Sequence, residues 1–269
     1  MEFAWLAPAL GLLVGLVLAL TGAGGSIVAV PLLVFGLDMS LAQAAPVGLL
    51  AVAMSAATGA LLGHRAKVLR YKAAGLMAVV GALASPGGIW LAQRVPNGAL
   101  TAIFATVLAA VAVRMFMQAS RDLRGEVVAP AREPPCRLDP ATGKLKWCAA
   151  CARALALAGT VAGFLSGLLG VGGGFIVVPT LRAVSDLPMK SIVATSLGVV
   201  ALVSLAGVLS AGAAGYMPWR VAWPFAAGAF AGVLVGRTFA ARLAGPRLQQ
   251  GFAVLSLGIA LGLVIKVAA

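Results

Sequence analysis

Two glycine clusters, each inside an apolar stretch and followed by a proline, are the residues best suited to bind a ligand. They lie in GLVLALTGAGGSIVAVP (15–31) and GFLSGLLGVGGGFIVVP (163–179). An interior glycine costs a helix about 1 kcal/mol relative to alanine, so three within four positions favour an unwound turn. The N–H groups that begin the next helix would then offer donors and a positive dipole end to an anion. An alternative is that the glycines only let helices pack closely.

Polar side chains could complete such a site, although a hydroxyl in a helix more often bonds its own backbone. The hydroxyl candidates include Ser55, Thr58 and Ser204, and Gln43 could line a pore near the start of its span. The predicted substrate-binding set is Thr21, Gly22, Gly24, Gly25, Ser26, Gln43, Gly170, Gly172, Gly173, Gly174, Thr195 and Ser196.

The acidic residues indicate which chemistry to exclude. All seven lie in predicted loops or termini, which disfavours a buried carboxylate relay, a carboxylate Na⁺ site and a cationic substrate. We predict no catalytic residue, no metal and no cofactor. An intramembrane enzyme with a Ser26–His64 dyad is an alternative, but the second cluster has Gly174 where Ser26 would recur. A membrane subunit that assists export or assembly without transporting is another.

Three cysteines, Cys136, Cys148 and Cys151, lie in one polar stretch. They form a Cys-x-x-Cys pair plus one thiol, which is one ligand short of a complete zinc site. We therefore expect reduced thiols with a minor structural role.

The elements that would carry these residues are membrane helices. Hydrophobic residues make up 62% of the 269 and charged residues 10%, and mean hydropathy is +1.06. A spanning helix needs about 20 apolar residues, and a segment in hydrocarbon must satisfy its own backbone hydrogen bonds. The sequence predicts an all-α polytopic membrane protein with apolar runs at 1–37, 41–62, 73–91, 99–117, 154–181, 191–214, 221–240 and 248–267.

The chain contains one internal repeat with an offset of 148 residues. The offset places GAGGSIVAVP over GVGGGFIVVP and pairs Gly15 with Gly163, Leu49 with Leu197 and Gly59 with Gly207. We predict a first transmembrane repeat at 1–120, a linker at 121–153 and a second repeat at 154–269. Within the linker, CRLDPATGKLKW (136–147) is typical of a small hairpin, with disorder as the alternative.

The basic residues predict how each repeat is oriented. The net charge of +13 would suggest nucleic acid in a soluble protein, but here Lys and Arg lie between apolar runs, so no nucleic-acid partner is expected. The linker carries seven basic residues and is predicted to be cytoplasmic, in a bacterial inner membrane, with the N-terminus periplasmic. Equivalent loops of the two repeats then carry opposite charge biases, which is typical of inverted-topology repeats.

Each repeat is predicted to begin with a broken or re-entrant helix hairpin and to continue with three transmembrane helices. Residues 26–36 would form only about 16 Å of helix, roughly half the hydrocarbon thickness. Two such breaks entering from opposite faces would meet near the midplane. A full crossing by both arms is the alternative.

At these motifs the sequence resembles the TauE/SafE family of sulfite exporters. The resemblance rests on residues 163–179, on VATSLGVV (193–200) and on GYMPWR (215–220), with a looser match in the first repeat, where Pro46-Val47-Gly48 replaces Ala-Thr-Ser. The resemblance implies transport of a small anion such as sulfite, sulfoacetate or a related organosulfonate. The expected partners are this anion and the lipid bilayer, and a homodimer is left open.

Overall fold

The computed structural model describes residues 3–21, 27–124, 135–137, 147–243 and 246–268. Ten helices lie in these ranges, and seven are long and apolar enough to cross a membrane. The prediction of an all-α polytopic membrane protein is confirmed. The helices are α1 Phe3–Thr21, α2 Ala29–Gly36, α3 Leu41–Arg65, α4 Tyr71–Arg94, α5 Asn97–Leu123, α6 Ala149–Leu169, α7 Gly174–Val184, α8 Met189–Ala213, α9 Trp219–Leu243 and α10 Pro246–Ala268.

Large apolar side chains cover the outside of the helices. Leu83, Leu157 and Leu261 are each exposed by about two thirds or more of their surface. Water would disfavour so much exposed apolar surface, whereas a hydrocarbon solvent would not. At the end of α4 the exposed Trp90 ring lies 4.0 Å from the Arg94 guanidinium carbon, as expected for a membrane interface. The chain is therefore a multi-pass membrane protein.

Glycines bring the first helix of each repeat against the fourth helix of the other repeat. In the α1–α9 pair, Gly11 and Gly15 lie directly on the backbone of Phe225 and Ala229. In the α4–α6 pair, the equivalent Gly159 and Gly163 lie on the backbone of Met77 and Gly81. Each contact in one pair recurs in the other after a shift of 148 residues, and close approach of this kind requires residues without a Cβ.

The central helices α3 and α8 pack against each other in opposite directions. A Cβ on Gly63, near the end of α3, would lie 2.7 Å from Ala194, near the start of α8. The repeat-related residues exchange partners, because Gly59 packs on Leu197 while Gly207 packs on Leu49.

The last helices of the two repeats, α5 and α10, also pack together. The Gln250 side chain, near the start of α10, donates a hydrogen bond of 2.9 Å to the Ser120 hydroxyl, near the end of α5. The end of one helix therefore lies beside the beginning of its repeat-related helix.

The linker contains a disulfide, so the prediction of three reduced thiols is wrong. Cys136 and Cys151 are bonded, and Cys148 is free and exposed. The Cys136 N–H also donates to the Val184 carbonyl at 2.9 Å, so one linker residue contacts both the start of α6 and the end of α7. Sequence could not reveal this pairing because it depends on where the linker lies.

Both ends of the predicted linker are helical, and most of the predicted hairpin lies outside the described residues.

Candidate functional site

The break between α6 and α7 is built from glycines in left-handed conformations. Gly170 (φ 73°) ends α6, and Gly172 (φ 72°) and Gly173 (φ 71°) precede α7. Residues with a Cβ disfavour this region, so these positions need glycine. No side chain caps α7, and its first intrahelical bonds run from the N–H groups of Ile176 and Val177 to the Gly173 carbonyl. The preceding N–H groups and the positive end of the helix dipole are therefore free to face a ligand.

Uncharged groups from three helices surround this break. A Cβ on Gly170 would lie 2.6 Å from the Ala45 carbonyl oxygen of α3, and one on Gly173 would lie 2.7 Å from the Ala162 carbonyl oxygen of α6. At Gly172 the nearest groups belong to Val52 of α3 and to Val200 and Ser204 of α8. The site that this arrangement could form is therefore neutral, with hydrogen-bond donors but no charged side chain among these contacts.

The beginning of α2 lies close to the second break. A Cβ placed on Gly48 of α3 would lie 3.0 Å from the Gly170 carbonyl oxygen and 3.0 Å from Val30 of α2. Ile27 and Val171, which flank the first and second breaks, also line one apolar cavity against α5. Irregular backbone away from water is stable where protein buries it, and residues 170–174 are all buried.

The predicted site residues divide into three groups. Gly170, Gly172, Gly173 and Gly174 lie together at the second break. Gly22, Gly24, Gly25 and Ser26 lie outside the described residues, as does the side chain of Thr21 at the end of α1. The third group is Thr195, Ser196 and Gln43.

Each member of that third group has a partner of its own. The Thr195 hydroxyl accepts a hydrogen bond of 3.1 Å from the Arg70 N–H, and the Ser196 hydroxyl donates to the Val193 carbonyl at 2.9 Å. Gln43 forms a capping box with Ser40 at the start of α3. Binding of substrate by Thr195, Ser196 or Gln43 stays a prediction.

Buried hydroxyls without a hydrogen-bond partner surround the second break. Ser85, Ser166 and Ser204 are fully buried, and none bonds another described residue. The hydroxyl candidates predicted from the sequence include Ser204 but neither Ser85 nor Ser166. Ser166 lies within the glycine motif itself, and Ser85 precedes a proline inside a span. Nothing in a single sequence shows that a hydroxyl lacks a partner, because that depends on the neighbouring helices.

These features define a helical, multi-pass membrane protein with a buried helix break that has no charged side chain among its described contacts. Residues 7–263 match the family described as sulfite exporter TauE/SafE. The chain belongs to this family.

Several curated proteins are similar over most of the chain. A "Probable membrane transporter protein" of Xylella fastidiosa (strain 9a5c) is 29% identical over 255 residues, 93% of this chain and 91% of that protein. The "Probable membrane transporter protein YunE" of Bacillus subtilis is 28% identical over 239 residues, 84% of this chain and 85% of that protein. A protein of the same description from Methanocaldococcus jannaschii is 28% identical over 218 residues, 78% and 73% of the two chains. No solved structure matches the chain significantly.

Proposed function

We propose that the chain is a secondary transporter of a small sulfur-containing anion, such as sulfite, sulfoacetate or a related organosulfonate. It alternates access around a site near the midplane of a bacterial inner membrane, between the two repeats, to which the second helix break contributes. The family description names a sulfite exporter, and the relatives' names describe membrane transporters, which favours transport over catalysis. The observation that carries the proposal is the buried break of Gly170, Gly172 and Gly173, where the start of α7 offers donors and a positive dipole to an anion.

Inverted-topology repeats are supported by the contacts between equivalent helices. α3 and α8 are antiparallel, and the end of α5 lies beside the start of α10. Two repeats with the same orientation in the membrane would place equivalent helices parallel. Opposite orientations place the two halves around a pseudo-two-fold axis in the membrane plane, which suits a rocking mechanism of alternating access.

A re-entrant hairpin in the second repeat is supported by Cys136. This residue joins Cys151 near the start of α6 and Val184 at the end of α7, so both helix ends lie on one side. From Cys151 to Leu169, α6 rises about 27 Å, while the 11 residues of α7 rise about 16 Å. A hydrocarbon layer about 30 Å thick would therefore enclose the break. We place the linker in the cytoplasm and the N-terminus in the periplasm, from the basic residues.

Flux in proteoliposomes tests the proposal. Purified protein should move sulfite or an organosulfonate faster than protein-free vesicles, measured in both directions. Gly172→Leu should abolish this flux, because Val52, Val200 and Ser204 leave no room for the side chain. Gly75→Leu on α4 is the matched control, since nothing lies within 4 Å of its added Cβ. The proposal fails if no sulfite, sulfonate or thiosulfate moves, and a non-transporting subunit would then be favoured.

A further inference from the structure

Three unpartnered hydroxyls lie around the α6–α7 break. A Cβ on Gly172 would lie 3.1 Å from the Ser204 hydroxyl oxygen, so this hydroxyl is directed at the break. A Cβ added to Gly167 on α6, or to Gly207 on α8, would lie 3.1 Å from the Ser85 hydroxyl oxygen. Ser166 lies one turn before the break, and its carbonyl accepts the Gly170 N–H at 2.8 Å. A buried hydroxyl without a partner is unfavourable, so each needs an explanation.

The repeat-related positions show that the fold does not need these hydroxyls. The 148-residue offset pairs Ser204 with Ala56, Ser166 with Leu18 and Ser85 with Val233. All three partners are buried apolar residues in the equivalent helices. The same packing is therefore made with side chains that carry no hydroxyl. Two further buried hydroxyls without a described partner, Ser55 on α3 and Ser256 on α10, are not part of this group.

We propose that Ser204, Ser85 and Ser166, with the N–H groups at the start of α7, form a neutral site for a singly charged sulfur oxyanion. This inference rests on the proposed transport of such anions and adds which side chains bind them and in which charge state. The hydroxyls donate to the anion's oxygens, which supplies the hydrogen bonds that the protein lacks.

The charge state follows from where the basic residues of the described helices lie. The helices that carry the hydroxyls, form the break or pack against it are α2 to α8. Their basic residues lie near helix ends, apart from Arg114, which lies in the second half of α5 with an exposed side chain. These residues are His64, Arg65, Lys72, Arg94, Arg114, Arg121, Arg153, Arg182 and Lys190. The cost of moving an ion out of water rises steeply with its charge, and neutral donors offset only part of it. A monoanion such as hydrogensulfite or methanesulfonate therefore suits the site far better than a dianion, which disfavours sulfoacetate and fully ionised sulfite among the proposed substrates.

Substitution of each hydroxyl tests the site. Ser204→Ala should raise the KM for methanesulfonate in proteoliposomes about tenfold or more, because a hydrogen bond to an anion is lost. The midpoint of thermal unfolding in detergent should stay unchanged or rise, since an unpaired buried hydroxyl is removed. Ser85→Ala and Ser166→Ala should act in the same direction. Ser256→Ala on α10 is the matched control, because this hydroxyl is also buried and unpartnered but belongs to a helix that packs on α5.

Substrate charge is tested with the wild-type protein. Methanesulfonate stays a monoanion across neutral pH, so its flux should be flat, whereas sulfite flux should rise as acidification converts sulfite to hydrogensulfite. Sulfate, a dianion, should not compete. Competition by sulfate, or sulfite flux that rises with pH, would overturn the monoanion site.

Binding is measured separately, as the rise in unfolding midpoint that methanesulfonate causes in detergent. If the three variants bind and transport like Ser256→Ala, the hydroxyl site is wrong while the transporter proposal stands. If methanesulfonate stabilises the wild type but not Ser204→Ala, and no flux occurs, the site stands and transport fails. If the wild type neither binds nor transports it, the site is wrong.

Discussion

Gly163 of α6 lies so close to Gly81 of α4 that a Cβ on Gly163 would overlap the Gly81 backbone. We expect Gly163→Ala to separate the two helices and to lower the stability of the protein by about 1–3 kcal/mol, the usual range for overpacking. Gly75→Ala on α4 should instead raise the stability of the protein. Its added methyl meets nothing within 4 Å, and alanine favours the helix over glycine. Thermal unfolding in detergent measures both. Equal midpoints for the two variants would contradict the described packing.

The Gln250–Ser120 hydrogen bond predicts a cross-link that tests the inverted repeats. In a background without cysteines, Ser120→Cys with Gln250→Cys should be joined by a short bifunctional maleimide, because the two native side chains meet in a hydrogen bond. Asn97→Cys with Gln250→Cys should not, because Asn97 begins α5 at its opposite end. Mobility on non-reducing gels distinguishes the two. Cross-linking of the second pair alone would mean that α5 and α10 are parallel, contrary to inverted repeats.

Free Cys148 reports the side of the membrane on which the linker lies. Seven basic residues favour the cytoplasm, whereas the Cys136–Cys151 disulfide would be more usual outside it. The basic residues set the orientation during insertion, so we place the linker in the cytoplasm. A membrane-impermeant maleimide should therefore label Cys148 in inside-out vesicles but not in intact spheroplasts. Labelling in spheroplasts would place the linker outside and reverse the proposed orientation.

The sequence predicted the helical spans and the glycine break because both depend on local composition. Long apolar runs leave a helix as the stable element in lipid, and clustered glycines at 170–174 disfavour a continuous one. Which helices pack against each other does not depend on local sequence. Gly15 and Gly163 indicate a close contact, but nothing in the chain shows that α1 packs on α9 or α6 on α4. The disulfide at Cys136 and the unpartnered Ser85 were missed for the same reason, since each depends on residues distant in sequence.

Gly172 and Gly215 form a matched pair that separates backbone strain from loss of the site. Both have positive φ, 72° and 75°, so alanine at either position costs about 1–2 kcal/mol in the left-handed region. Nothing lies within 4 Å of a Cβ on Gly215, whereas one on Gly172 would press on Val52 and Val200. Gly215→Ala should therefore lower the unfolding midpoint modestly and keep anion flux, while Gly172→Ala should lower it further and abolish flux. If both variants transport equally well per folded molecule, the second break is a packing feature and the anion binds elsewhere.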